Sequence, residues 1–186
     1  MVCKCRRLYY YSTLDSILIL GRINMLYKFG EHLIDINVEK TRKFYKTAET
    51  ITQGCNCDGC CNYEEATAYF PNEVKTFFEN IGVDLKKAAE IIAWVSENDK
   101  KDVYYGGFYH VCGRIISEDN LWKSELVDTD TRVCLLDEDE MFMITENYRI
   151  GFCNGCSLLE EGFPLPAMQI EILFTCPWVI SKENRY

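Results

Sequence analysis

Four cysteines fall within seven residues in the segment Gly54–Tyr63, GCNCDGCCNY, and this cluster constrains the chain more than any other stretch. Cys55-x-Cys57-x-x-Cys60 supplies three soft ligands separated by Asn56, Asp58 and Gly59, residues that let a backbone curl. Zinc–sulfur bonds of about 2.3 Å require that curl, so a zinc site is the sharpest chemistry the spacing suggests. A tetrahedral site also needs a fourth ligand. His110 and Cys112 rank first, both on one face of the strand pattern VYYGGFYHVCGRII; Cys61 and the pair Cys153 and Cys156 are alternatives. Against metal stands the plain reading of free cysteines as small buried hydrophobes. Cys57-x-x-Cys60 also admits redox chemistry, because a helix N-terminus stabilises a thiolate.

Compartment follows from cysteine usage. The eleven cysteines are odd in number, and the apolar run Ile17–Leu20 is shorter than the roughly seven to fifteen residues of a secretory signal. A reducing cytoplasm is expected, where clustered cysteines serve metal or redox chemistry rather than structural disulfides. Nowhere does an apolar run approach the roughly 18 residues of a membrane span.

Charge narrows the partners. The net charge is −9, and residues 1–24 are basic, which leaves −12 on the remainder. Such a body is a poor ligand for phosphate backbones, so direct nucleic-acid binding is not expected and a protein partner is. The same acidity permits an inhibitor that mimics nucleic acid and blocks a basic groove. The run Asp137–Glu140, DEDE, is most simply a solvated loop.

Patterning divides the chain at Met25. Residues 1–24 read as a basic, Tyr-rich extension docked poorly on a single domain spanning 25–186. Within that domain Leu33, Ile34 and Ile36 form a short strand, and Asn37 caps a helix from Val38 to about Thr50. Tyr63, Ala66 and Phe70, then Val74, Phe77, Phe78 and Ile81 closed by Gly82, predict two helices in a hairpin. Strand periodicity takes over from Glu90. SENDKKD at 96–102 is a turn, Gly106 and Gly107 mark a bulge or close approach, and a solvated loop runs through Asp128 and Asp130. Met141–Ile144 and Tyr148–Phe152 follow as strands. In the last strand Met168, Ile170, Ile172 and Phe174 face the core while Gln169, Glu171 and Thr175 face out. Helices first and strands later give an α+β fold, a helical hairpin on one face of a mostly antiparallel sheet of about four to six strands.

FGEHLIDINVEKTRKFY, CNCDGCCNY, GGFYHVCG and GFPLPAMQIEILFTCPWV together resemble a family of uncharacterised bacterial proteins. Its marks are a Cys-x-Cys-x-x-Cys knuckle, a GFYH strand and a terminal FPxP...QxE...PWV element. The resemblance runs from Met25 nearly to the end and implies a single domain, but no activity. Cys61 stands where that family has arginine, and the CNGC at 153–156 lies outside its pattern.

The function these residues support best is a small non-enzymatic interaction or regulatory domain with a structural cysteine knuckle. An enzyme using Cys60 and His110 for thiol or hydrolytic chemistry is the alternative from another class, and it lacks a visible third group to orient the histidine.

Overall fold

The computed structural model describes residues 12–19, 22–29, 32–94, 101–118, 121–126 and 132–186. The extreme N-terminus, most of the 96–102 turn and the loop through Asp128 and Asp130 lie outside them. Chain order is β1 (Ser12–Ile19), β2 (Arg22–Phe29), β3 (His32–Ile36), α1 (Val38–Tyr45), α2 (Ile51–Gly54), α3 (Asp58–Ala66) and α4 (Asn72–Ile81). Then come β4 (Glu90–Trp94), β5 (Asp102–Ile115), β6 (Trp122–Leu126), β7 (Arg132–Leu136), β8 (Phe142–Thr145), β9 (Tyr148–Cys153) and β10 (Ala167–Pro177). The class is α+β, as the patterning predicts.

Eight strands make the main sheet, in the order β1-β2-β3-β5-β10-β9-β8 with β4 also paired to β5, and β6 and β7 form a separate hairpin. Every described pairing is antiparallel. The sheet is thus larger than the four to six strands expected, partly because β1 and β2 extend its edge beyond β3. The division expected at Met25 falls inside β2, which runs antiparallel to β3 from Met25 to Phe29.

The long strand β5 organises the sheet. One edge pairs with β10 without interruption from Asp102 to Cys112. The other edge takes β4 opposite Tyr104–Phe108 and β3 opposite Gly113–Ile115, so among the described residues no strand covers the interval between. Helix α1 fills it with side chains. The Tyr45 hydroxyl donates to the His110 carbonyl at 3.0 Å and accepts from the His110 amide at 3.2 Å, and Thr41 Oγ1 accepts from the Cys112 amide at 2.9 Å. Buried backbone groups need partners, and here two residues one helical turn apart stand in for a strand.

Alternation along β5 and β10 sorts the interior into two layers. Tyr105, Tyr109, Val111, Met168, Ile170, Ile172 and Phe174 pack against Tyr63, Ala66, Phe70, Val74, Phe77, Phe78 and Ile81, the apolar stripes of α3 and α4. Aromatic contacts dominate: Phe174 stacks on Tyr148 at 4.8 Å and on Tyr105 at 5.4 Å, and Phe70 meets Tyr148 edge-on at 5.1 Å. Each such pair adds about 0.5–1.5 kcal/mol beyond area burial. Tyr105 and Tyr109 are therefore core.

The opposite face is covered as well, by Leu121, Met141 and the loop carrying Phe163. Gln169 and Glu171, expected in solvent, are only 3% and 6% exposed there. The alternation predicted for β10 holds, but both of its faces are roofed.

Local signals set the helix ends. Asn37 Oδ1 accepts from the Lys40 amide at 3.0 Å and starts α1. The helix stops after Tyr45 rather than continuing to Thr50, because Thr50 and Gln53 form a capping box that starts α2 anew. Gly82 closes α4 at φ 83°, a left-handed conformation that favours glycine. Gly106 and Gly107 mark a close approach and not a bulge: a Cβ on Gly107 would lie 2.2 Å from the Glu90 carbonyl oxygen, while the register with β10 runs on unbroken.

Candidate metal centre

The knuckle is the junction between α2 and α3. Cys55 ends α2, its amide donating to the Ile51 carbonyl at 2.9 Å. Cys57 is the N-cap of α3, where its sulfur accepts from the Cys60 amide at 3.4 Å. Cys60 lies in the first turn of α3 on its buried side. One tight turn therefore carries all three thiols to the same place, and their sulfurs lie within 4.8 Å of one another. Cys55 and Cys57 face solvent, whereas Cys60 is 4% exposed.

This asymmetry separates the thiols electrostatically. Partial burial alone would raise Cys57, but amide hydrogen bonds from Cys60 and Gly59 and side-chain contacts with Cys55 and Cys60 bring it below the ordinary thiol range. Burial pushes Cys60 well above that range, and the neighbouring sulfurs push it the same way. Sulfur converts to a strong ligand only as thiolate, so a cation held here would displace the Cys60 proton.

Polar anchors hold the turn against the sheet. Asn62, on α3 and 0% exposed, is the hub. Its Nδ2 donates to the Tyr105 hydroxyl at 3.1 Å and to the Pro177 carbonyl at 3.3 Å; its Oδ1 accepts from the Val179 amide at 2.6 Å and the Ile180 amide at 3.4 Å. The Tyr105 hydroxyl in turn donates to the Gly59 carbonyl at 3.0 Å, inside the knuckle. Glu64 of α3 accepts from the Thr52 amide at 3.2 Å and the Thr52 hydroxyl at 2.5 Å, which clips α2 to α3. Burial opposes the Glu64 charge, yet these bonds hold the carboxyl below the usual range.

The chain after β10 closes over the knuckle. Lys182 pairs with Asp58 at 2.5 Å, and the Trp178 indole donates to the Lys182 carbonyl at 2.6 Å. Tyr186 reaches Cys57 and Gly59 with its hydroxyl, and a Cβ on Gly59 would lie 3.3 Å from that oxygen and 3.1 Å from the Ala93 methyl. Glycine here permits the tyrosine to lie across the turn.

The expected fourth ligands are elsewhere. Among the described residues the metal-competent group of Cys, His, Asp and Glu consists of Cys55, Cys57 and Cys60 alone. His110 and Cys112 belong to the face of β5 turned away from α3, since Tyr105 and Tyr109 take the helical side. Cys61 turns its sulfur toward the Asn56 carbonyl at 3.7 Å. Cys153 ends β9 and donates to the Gly155 carbonyl at 3.3 Å, and the Cys156 sulfur lies 3.9 Å from the Asn154 carbonyl.

The same parity separates Cys60 from His110, so a catalytic pair of these two is not assembled. His110 is 3% exposed, beside Phe108 and Phe163, and Nε2 has no hydrogen-bond partner among the described residues. Burial lowers its affinity for a proton, against partial support from the Ser157 backbone and Gln169. Gln169 accepts from the Ser157 amide at 2.7 Å and donates to Glu171 at 2.5 Å. His32 packs edge-on against Phe142 at 5.4 Å. The DEDE run is not bare: Asp137 pairs with Lys123, Glu138 with Arg149, and Glu140 lies 3.5 Å from His32.

Two residues that matter to the knuckle carry no signal in the sequence. Asn62 sits inside a helical pattern, and Tyr186 lies more than a hundred residues downstream. Comparison with known proteins gives no match: no protein family, no curated protein and no solved structure is significantly similar to this chain.

Proposed function

We propose that this chain is a small non-enzymatic interaction domain of the reducing cytoplasm, in which Cys55, Cys57 and Cys60 hold one zinc ion that locks α2 and α3 onto the sheet. The convergence of the three sulfurs carries the reading. Tetrahedral zinc with bonds of about 2.3 Å separates its sulfurs by about 3.8 Å, so sulfurs within 4.8 Å need only a small closure. Three thiolates of one tight turn suit a soft, borderline cation and not calcium or magnesium, which take oxygen. The fourth position belongs to water, to the Tyr186 hydroxyl beside Cys57, or to a group from a protein partner.

A structural role fits the surroundings of the site. The knuckle is tied to β5 through Tyr105, to the end of β10 through Asn62 and to the C-terminal segment through Asp58 and Lys182. No helix among the described residues is long and apolar enough to cross a membrane. Zinc measured on freshly purified full-length protein tests the reading: about one ion per chain is expected, with a melting temperature lowered by chelation. Protein without zinc whose melting is indifferent to chelator sinks it.

A further inference from the structure

We infer that the metal-free knuckle is also a disulfide-exchange couple, in which Cys57 attacks a low-molecular-weight disulfide such as oxidised glutathione and Cys60 resolves the adduct. Geometry carries this. Cys57 and Cys60 lie at the same end of α3 with sulfurs inside 4.8 Å of each other, close enough to bond after a small rotation. They differ sharply in access: Cys57 is exposed at the N-cap, and Cys60 is buried beneath it. A bulky disulfide can therefore reach Cys57 but not Cys60. Its sulfur already accepts the Cys60 amide, which orients it at the start of the nine-residue α3. Asp58 and Gly59 between them are held by Lys182 and by the Tyr105 hydroxyl, so the loop that a bridge must close is already formed. Cys61 takes no part, its sulfur being directed to Asn56.

The chemistry balances in two steps. The Cys57 thiolate bonds to one glutathione sulfur as the glutathione disulfide bond breaks, and one glutathione thiolate leaves. Cys60 then loses its proton to solvent and attacks the Cys57 sulfur. The mixed disulfide breaks, the Cys57–Cys60 bond forms and the second glutathione thiolate leaves. Two electrons pass from the protein dithiol to the glutathione disulfide. Zinc occupies the same thiolates, so ion and bridge exclude each other; the inference shares the triad with the zinc reading but does not require it.

The test treats chelator-stripped full-length protein with oxidised glutathione and maps the products by mass spectrometry after acid quench. Wild type is expected to end as the Cys57–Cys60 bridge after a transient Cys57 adduct. Cys60→Ser is expected to retain glutathione on Cys57, and Cys57→Ser to leave the buried Cys60 without an adduct. The wild-type time course shows the transient adduct even where a variant fails to fold. Stable glutathionylation of wild-type Cys57, no adduct on Cys57, glutathione on Cys60 in the Cys57→Ser protein, or a bridge from Cys55 to Cys60 overturns the inference. Zinc added first is expected to suppress the exchange. If it does not, the zinc reading fails and the exchange couple stands.

Discussion

Replacing Asn62 with alanine probes how the knuckle is fastened, because one buried side chain serves four partners. Truncation leaves the Val179 amide without its 2.6 Å acceptor and the Pro177 carbonyl without a donor. Tyr105 keeps its bond to Gly59, so its loss is small. Each buried group left unpaired costs about 1–3 kcal/mol, and water reaching the end of β10 recovers part of that. The expected loss is about 3 kcal/mol. For a chain of this size about 2–4 °C accompanies each kcal/mol, so melting should fall by roughly 6–12 °C. Calorimetry measures that drop, and limited proteolysis should show faster cleavage after Pro177 than in wild type. Glu65→Ala on the exposed side of α3 is the control, expected to stay within about 0.5 kcal/mol. An Asn62→Ala protein that loses less than about 1 kcal/mol and keeps its protease resistance would refute the claim that this residue pins α3 to the sheet.

Much of this architecture was legible because it is written in short-range patterns. The stripe Val74, Phe77, Phe78, Ile81 and the stop at Gly82 are local, and so are the Asn37 cap and the alternation of β5 and β10. The convergence of Cys55, Cys57 and Cys60 was legible for the same reason: one turn brings them together. The place of the candidate fourth ligands was not. Periodicity places His110 and Cys112 on a common face of β5, but whether that face meets α3 is decided by long-range packing, and Tyr105 and Tyr109 take the helical side. The roof over Gln169 and Glu171 is likewise non-local, and polar residues on a strand read as solvent-facing when their cover comes from residues as distant as Leu121 and Met141. The early end of α1 was present in the sequence as Thr50-x-x-Gln53, a capping box hidden inside an apolar helical spacing.

Further outcomes follow from the same contacts. Gly107→Ala puts a methyl 2.2 Å from the Glu90 carbonyl oxygen, so β4 must separate from β5; a loss of about 3 kcal/mol is expected in urea unfolding, and a loss below about 1 kcal/mol would contradict it. Tyr45→Phe leaves the His110 amide and carbonyl unpaired in the interval that no strand covers, costing about 2–3 kcal/mol, whereas Tyr69→Phe at the surface should cost nothing measurable. Glu171 is held above the ordinary carboxyl range, burial outweighing its bonds to Gln169 and Trp122. The native chain thus keeps that proton longer than the unfolded one, and stability declines as pH climbs from the usual glutamate value toward the raised one. Glu171→Gln should flatten this segment of the stability–pH curve; an unchanged slope would show that the carboxylate is solvated.

X-ray absorption at the zinc edge of the purified full-length protein tests whether the cysteine knuckle holds the ion. One zinc per chain with three sulfur neighbours at about 2.3 Å is expected, with loss of that sulfur shell when Cys55, Cys57 and Cys60 are together replaced by serine. A metal-free protein, or a zinc shell made of nitrogen and oxygen that survives the triple replacement, would contradict it.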